Sequence, residues 1–405
     1  MLSERSRSFL RELLLRYYSR LRELHITFLE QREFAIIPFE NPDIMIRHKA
    51  FRDLPSLLNF IRRNLPLHVY YSSARYEYPE VRKMDQKGWL GADLIFDIDI
   101  DHIPTECKEI HDSWHCMDCG VQGRGLSPET CPRCGSRRID RETWVCDRCL
   151  ERAKEEVIKL VDDFLIGDFG FSKSEIKIVF SGHRGFHVHI ENPEVLNLDQ
   201  EARREIVEYI KGIGLRISPL EQLDMSYPGW KGRLARGLYF LITDFNEADL
   251  RAQGLRSKDI KYLAENRALL ARALEKGPLK WGMLKISRRA KERIVEIVRN
   301  SQGVEIDERV TTDIKRLIRL PGSIHGKTGL KVVRVEYSNL EDFEPFQHAA
   351  LNYEDTIKIR LLKEVPDLVL GGYQLKAAKG SEVVLPFAQG LYLIFKGVAE
   401  PARRG

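Results

Sequence analysis

Residues 92–101 read ADLIFDIDID, and this alternation organises the rest of the chain. A strand of period two puts Leu94, Phe96, Ile98 and Ile100 on one face and Asp93, Ile95, Asp97, Asp99 and Asp101 on the other. Same-face neighbours stand about 6.5–7 Å apart, so carboxylates on Asp97 and Asp99 can converge on a pair of divalent ions. Hard oxygen donors suit Mg²⁺ or Mn²⁺, and such ions clamp the attacking and leaving oxygens in phosphoryl transfer. A lone D-x-D is also compatible with the solvated face of an edge strand, so the chemistry needs support from elsewhere in the chain.

Two further stretches supply it. In SGHRGFHVHI, residues 181–190, a glycine turn joins the strand-like EIKIVF to FHVHI. Gly182 and Gly185 let backbone amides approach an anion closely, Ser181, His183 and Arg184 add donors, and His187 follows on the next strand. Such a turn can hold a triphosphate, whereas His189 reads as a packed or surface histidine. The stretch IDERVTTDIKRLIRLPGSIHGKTGLKV, residues 306–332, offers Asp307 or Asp313 as a third carboxylate and Arg319 with His325 for phosphate charge. Lys315 reads as a water-facing cation on an amphipathic helix.

The chain has 405 residues with Lys+Arg 65 against Asp+Glu 60, a net charge of +5 and 43% hydrophobic residues. That length allows two or three domains with real cores and excludes general disorder. No apolar run reaches the roughly 18–20 residues of a membrane span, and MLSERSRSFLRELLLRYYSR mixes charge into its apolar period, unlike a signal peptide. The expectation is a soluble, intracellular (cytoplasmic) protein without a membrane partner. A charge of +5 permits a nucleic-acid partner without requiring one.

All seven cysteines lie between Cys107 and Cys149, six of them as Cys-x-x-Cys pairs. Such pairs present two sulfurs to one tetrahedral ion, and Gly120 and Gly135 follow two of the pairs as tight turns require. Seven thiolates plus His111 or His115 make two four-ligand structural zinc sites. The preferred division is a ribbon of Cys116, Cys119, Cys131 and Cys134 inserted into a site of Cys107, His111, Cys146 and Cys149. Because both intervening gaps hold eleven residues, pairing Cys131/Cys134 with Cys146/Cys149 is the alternative, and disulfides are a third reading.

Around these motifs the periodicities alternate in kind. Phe9, Leu10, Leu13, Leu14, Tyr17, Leu21 and Leu24 share a helical side; REFAIIPF and LHVYYSSARY are strand-like; Leu150 to Phe164 recur as a helix face. EARREIVEYIKGI, KDIKYLAENRALLARALEKG and RRAKERIVEIVRN are helical, while GLKVVRVEY and EVVLPFAQGLYLIF have strand character. The expected class is α+β (mixed α/β). A core of mixed sheets flanked by helices, over residues 1–106, 150–195 and 301–405, would carry a zinc module at 107–149, with its ribbon at about 116–134, and a helical subdomain at 196–300.

Together the D-x-D strand, the cysteine cluster ending in Cys-x-x-Cys-Leu-Glu, S-G-x-R-G-x-H, and Asp-x-x-V-T-x-D with R-L-x-R-L-P-x-S-x-H resemble the archaeo-eukaryotic primase family, in particular its archaeal small catalytic subunits. The resemblance covers roughly residues 30–350. It implies a primase-type catalytic core, with Asp97, Asp99 and Asp307 as catalytic acids holding two Mg²⁺ or Mn²⁺. It further implies Ser181, His183, Arg184 and His187 at the triphosphate, Arg319 and His325 on the incoming nucleotide, and Glu33 and Arg47 as further nucleotide contacts. His183 stands where eukaryotic relatives carry a second arginine, and the cysteine cluster is longer than the single-zinc form of the family. The implied activity is template-directed synthesis of short primers from nucleoside triphosphates on single-stranded DNA, in a heterodimer with a primase large subunit. A repair-type primase-polymerase and a non-catalytic zinc-ribbon nucleic-acid-binding protein are the rival readings.

Overall fold

The computed structural model describes residues 2–216 and 222–402. These form two compact units, one of residues up to 157, 174–201 and 307 onward, the other of 158–173 and 202–306.

Eight strands of the first unit frame the candidate site: β1 (Phe34–Pro38), β2 (Ile46–Lys49), β3 (Pro66–Ser72), β4 (Leu94–Asp99), β5 (Ile176–Phe180), β6 (Gly185–Ile190), β7 (Leu317–Arg319) and β8 (Val333–Val335). They make two four-stranded sheets, of order β7-β3-β1-β2 and β8-β5-β6-β4, with every pairing antiparallel. Alternation in β4 has the anticipated result: Leu94, Phe96 and Ile98 are buried, and the acids take the other side. The strand stops at Asp99, where the sequence pattern runs on to Asp101. The Asp99 carboxylate accepts the Asp101 amide at 2.8 Å, and residues Ile100–His102 turn as a 3₁₀ helix. A short side chain bonding the backbone two residues on is a standard competitor of the strand ladder.

Helices start where their caps dictate. Ser3 accepts the Ser6 amide ahead of Glu4–Arg20, and Asp53 accepts the Ser56 amide ahead of Leu54–Asn64. In the 306–332 stretch, the expected amphipathic helix around Lys315 is instead a five-residue helix, Glu308–Thr312, followed by strand β7. The C-terminal run is also a correction: Glu382–Pro386 is a strand, but Phe387–Phe395 is a helix with all nine residues buried. A short run that is apolar on every side reads alike as buried strand or buried helix. Pro386 opens the helix, and a Cβ on Gly390 would come within 2.2 Å of Ile357, so glycine permits the close packing on the strand beneath.

Residues 113–142 form a three-stranded ribbon of Gln122–Arg124, Ser113–Cys116 and Ile139–Glu142. The second unit is helical, with Gly229–Thr243 packed against Arg288–Gln302 so closely that a Cβ on Gly237 would meet Val298 at 2.5 Å. Its core gathers Leu234, Leu238, Leu241, Ile294 and Val298, and a buried Arg233–Asp168 ion pair at 2.6 Å lies within it. No helix among the described residues is long and apolar enough to cross a membrane.

Candidate active site and metal-binding sites

Strand register brings the D-x-D motif and the glycine turn together. In the β4–β6 pairing Asp97 faces His187 and Asp99 faces Gly185, and directly opposed residues of antiparallel strands project to the same side. His187 Nε2 lies 3.7 Å from Asp97 Oδ1. A Cβ on Gly185 would come within 2.0 Å of the Ile98 carbonyl oxygen, so only glycine allows the turn this close to the acid strand.

The third acid arrives through the backbone. Asp307 N–H donates to the Asp97 carbonyl at 2.9 Å, and the Asp307 carboxylate caps Glu308–Thr312 by accepting the Arg309 amide at 2.9 Å. Asp313 instead accepts the Lys315 amide at 2.9 Å, and its charge bears on Tyr76. Burial pushes Asp97 up to about 8, helped by the charges of Asp99 and Asp307 and opposed by Arg319 and Arg316. Burial also raises Asp99, with Asp101 adding to the effect. Carboxylates held in this way favour a proton or a cation in their midst, so the donor set fits hard divalent ions.

On the phosphate side, His183 and His325 stack with centroids 4.9 Å apart, and His68 meets His325 edge-on at 4.8 Å. Burial holds His183, His187 and His325 well below the usual imidazole range, with Arg184 reinforcing it at His183 and Arg319 at His187 and His325. They are therefore neutral at pH 7, and the fixed positive charge comes from the guanidinium groups. Gly182 adopts φ 78°, and a Cβ there would meet that of His325 at 2.7 Å, which locks the turn onto the 306–332 stretch. Ser181 Oγ accepts the His183 amide at 3.4 Å. Arg184 Nε, His187 Nδ1 and Arg319 Nε are buried polar atoms without a protein partner, and buried atoms of this kind normally find one.

Not every expected contact residue is free. Arg184 is almost fully buried and donates to Asp101, to Asp112 at 2.7 Å and to the Trp144 carbonyl at 2.9 Å. Glu33 is buried among Arg47 Nε at 3.1 Å, His48 Nδ1 at 3.3 Å and Lys87 Nζ at 3.1 Å, and Arg47 is left partly exposed. Asp93, on the acid face of the motif, is engaged by Arg32 at 2.6 Å and Arg75 at 3.1 Å. His189 is packed, stacking on Tyr71. Sequence reasoning passed over Asp112 and Lys87. Asp112 had a signal in its place beside His111; Lys87 had none.

The cysteines and His111 form two sets: Cys107, His111, Cys146 and Cys149, and Cys116, Cys119, Cys131 and Cys134. Within each set the donor atoms all lie within 4.8 Å of one another. The fold does not bring Cys131/Cys134 to Cys146/Cys149, and His115 is near Asp140 on the ribbon surface. Sulfur separations of 3.4 Å (Cys107–Cys149) and 3.6 Å (Cys116–Cys134 and Cys119–Cys131) are too long for disulfides. They approach the spacing of about 3.8 Å that a tetrahedron with 2.3 Å zinc–sulfur bonds requires. His111 Nε2 faces Cys146 Sγ at 3.2 Å while its Nδ1 bonds Asp112 at 2.7 Å. Each set can hold a metal ion, and the donor chemistry fits zinc.

Asp97 and Asp99 on one strand face His187 and the glycine turn on the next, an arrangement that suits the chemistry of a nucleotidyltransferase-type enzyme. Comparison with known proteins gives the family. The family described as DNA primase small subunit matches residues 138–337. The chain is 34% identical to the DNA primase small subunit of Methanosarcina barkeri, over 100% of this chain and 98% of the relative. It is 33% identical to that of Methanocella arvoryzae, over 98% and 99%, and 34% identical to that of Hyperthermus butylicus, over 98% and 97%. The chain belongs to the DNA primase small-subunit family.

Proposed function

We propose that this chain is the catalytic subunit of a DNA primase, joining nucleoside triphosphates into short primers on a single-stranded DNA template. The observation that carries this reading is the β4–β6 register, in which Asp97 and Asp99 stand across from His187 and the glycine turn. Asp97, Asp99 and Asp307 would hold two Mg²⁺ or Mn²⁺; when bound, these ions lower the pKa of the attacking 3′-hydroxyl and neutralise the departing pyrophosphate. Asp307 is preferred to Asp313 because its amide is bonded to Asp97.

Ser181, His183, His187, Arg319 and His325 bind and orient the triphosphate, and Arg184, expected at the triphosphate but held by Asp101 and Asp112, fixes the glycine turn. Neutral imidazoles donate N–H groups, and Arg319 supplies charge to the same anion. Glu33 holds Arg47 against its partners, leaving an oriented cation for the nucleotide or template. Rate enhancement comes from positioning and electrostatics without a covalent intermediate. Two structural zinc ions in the Cys/His sets, a larger partner subunit, as the relatives' name implies, and a cytoplasmic site of action complete the proposal.

The test is primer synthesis on single-stranded DNA with Mn²⁺ and labelled nucleoside triphosphates. Asp97→Ala should lower synthesis at least about 100-fold with the fold intact by circular dichroism. Near-normal synthesis by that variant would refute the assignment.

A further inference from the structure

Three candidates for active-site function converge on one small group of atoms: the buried guanidinium of Arg184, the otherwise unassigned carboxylate of Asp112, and the thiolate-rich set beside it. Asp112 is 4% exposed. Its Oδ1 accepts His111 Nδ1–H at 2.7 Å and the Trp144 amide at 2.9 Å. Its Oδ2 accepts Arg184 Nη1 at 2.7 Å. Arg184 Nη1 also donates to the Trp144 carbonyl at 2.9 Å, and Nη2 donates to Asp101. The Asp101 amide then donates to the Asp99 carboxylate at 2.8 Å. Hydrogen bonds thus run without a break from the Cys107–His111–Cys146–Cys149 set to the second acid of the D-x-D motif.

We propose that Asp112 is a positioning residue that couples this metal-binding set to the glycine turn, holding His111 with one carboxylate oxygen and Arg184 with the other. The inference rests on the functional reading above for its kinetic half and on geometry alone for its metal half. A carboxylate on the far nitrogen of a metal-ligating histidine fixes the tautomer and turns Nε2 toward the ion. Here Nε2 faces Cys146 and Cys149 at 3.2 and 3.7 Å, so the orientation is already the one a metal needs. The second oxygen gives the same carboxylate another duty. Arg184 sits between two acids and a carbonyl, and its planar fork donates to all three only in one orientation. Removing Asp112 would leave a buried guanidinium half-compensated and free to turn toward Asp101, shifting the backbone that holds Asp99.

A purely structural zinc site would be indifferent to the nucleotide. A coupled one is not, and two variants of the full-length protein separate the cases. Asp112→Asn presents an amide where His111 or Arg184 needs an acceptor. It should release one of two zinc ions to a chromophoric chelator about 10-fold faster or more, with the ribbon zinc unaffected. It should also raise KM for nucleoside triphosphate roughly tenfold, as expected for loss of a charge-assisted hydrogen bond, with a smaller change in kcat. His111→Cys keeps four metal ligands but has no Nδ1–H for Asp112. It should retain two zinc ions and still raise KM in the same direction. Unchanged zinc release from Asp112→Asn, or a wild-type KM in a zinc-loaded His111→Cys, would overturn the coupling. The zinc-release arm needs no activity: a wild type that fails to bind a fluorescent nucleoside triphosphate would sink the functional reading, while zinc release would still decide whether Asp112 supports His111.

Discussion

The two cysteine-rich sets share a donor spacing and differ in almost everything around it. Cys107, His111, Cys146 and Cys149 are all buried, and their histidine is tied through Asp112 to Arg184. The ribbon set includes an exposed Cys134, and its supports are local: two glycine turns at φ 71°, Trp114 lying across Gly123, and a surface ion pair of Arg138 with Asp118. Cys-x-x-Cys pairs therefore serve two purposes. One set fastens together segments from both ends of the motif region, and the other closes a small sheet upon itself. The difference follows from where the ligands lie along the chain: Cys107, His111, Cys146 and Cys149 flank the ribbon, and the other four cysteines lie within it.

The largest expected effect tests this contrast directly. Cys107→Ser should lose one zinc and several kcal/mol of stability, lowering Tm by roughly 10 °C or more, because structural metal binding is folding energy. Cys134→Ser should lose the other zinc with a Tm change of only a few degrees. Metal analysis with differential scanning calorimetry reads both, and equal losses would erase the distinction.

Charge pairs give a smaller version of the same comparison. Asp93 is almost fully buried between Arg32 and Arg75, so Asp93→Ala leaves an uncompensated buried cation and should cost about 3–5 kcal/mol. On the ribbon, Asp118→Ala breaks an exposed pair with Arg138 and should cost at most about 1 kcal/mol. Urea titrations of the two variants would expose a failure of this ordering.

The smallest effect separates soft thiolates from hard carboxylates. Asp97 is pushed up to about 8 and Asp99 is raised as well, so the native state binds more protons than the unfolded chain between about pH 4 and 8. In zinc-loaded protein without added divalent ions, stability from these groups is therefore present at low pH and lost as pH rises through that window. Mn²⁺ takes the proton's place, and its stabilisation should grow from pH 5.5 to 8, by a few degrees in Tm. Asp97→Asn should remove most of the increment. A Mn²⁺ shift that is flat or falls with pH would contradict the acid site.

Much of this was legible in the primary structure. Alternation placed strand β4, glycine spacing placed the β5–β6 turn, and helical periods placed the helices Gln200–Lys211 and Arg288–Gln302, because each of these patterns is local; Gly229–Thr243 was not read as a helix. The 306–332 stretch was legible in composition and misleading in form: Lys315 sits in a turn before a strand that pairs with β3, and that pairing depends on residues some 245 positions away. Helix Phe387–Phe395 was misread for the complementary reason, since burial on every side removes the period that tells helix from strand.

Local pattern along the chain supplies the inventory: candidate acids, a glycine turn with its cations and histidines, and enough thiolates for two metal ions, each announced by a spacing that local backbone geometry makes meaningful. Which of these groups face one another is settled by the folded chain alone. Asp307 rather than Asp313 is bonded to Asp97, Asp93 is neutralised inside the unit, Arg184 is held between Asp101 and Asp112, and His111 rather than His115 completes the thiolate set. The physical reason is that pairing over long sequence separations is set by strand register and by the satisfaction of buried charge, and neither leaves a trace in the spacing of neighbours along the chain.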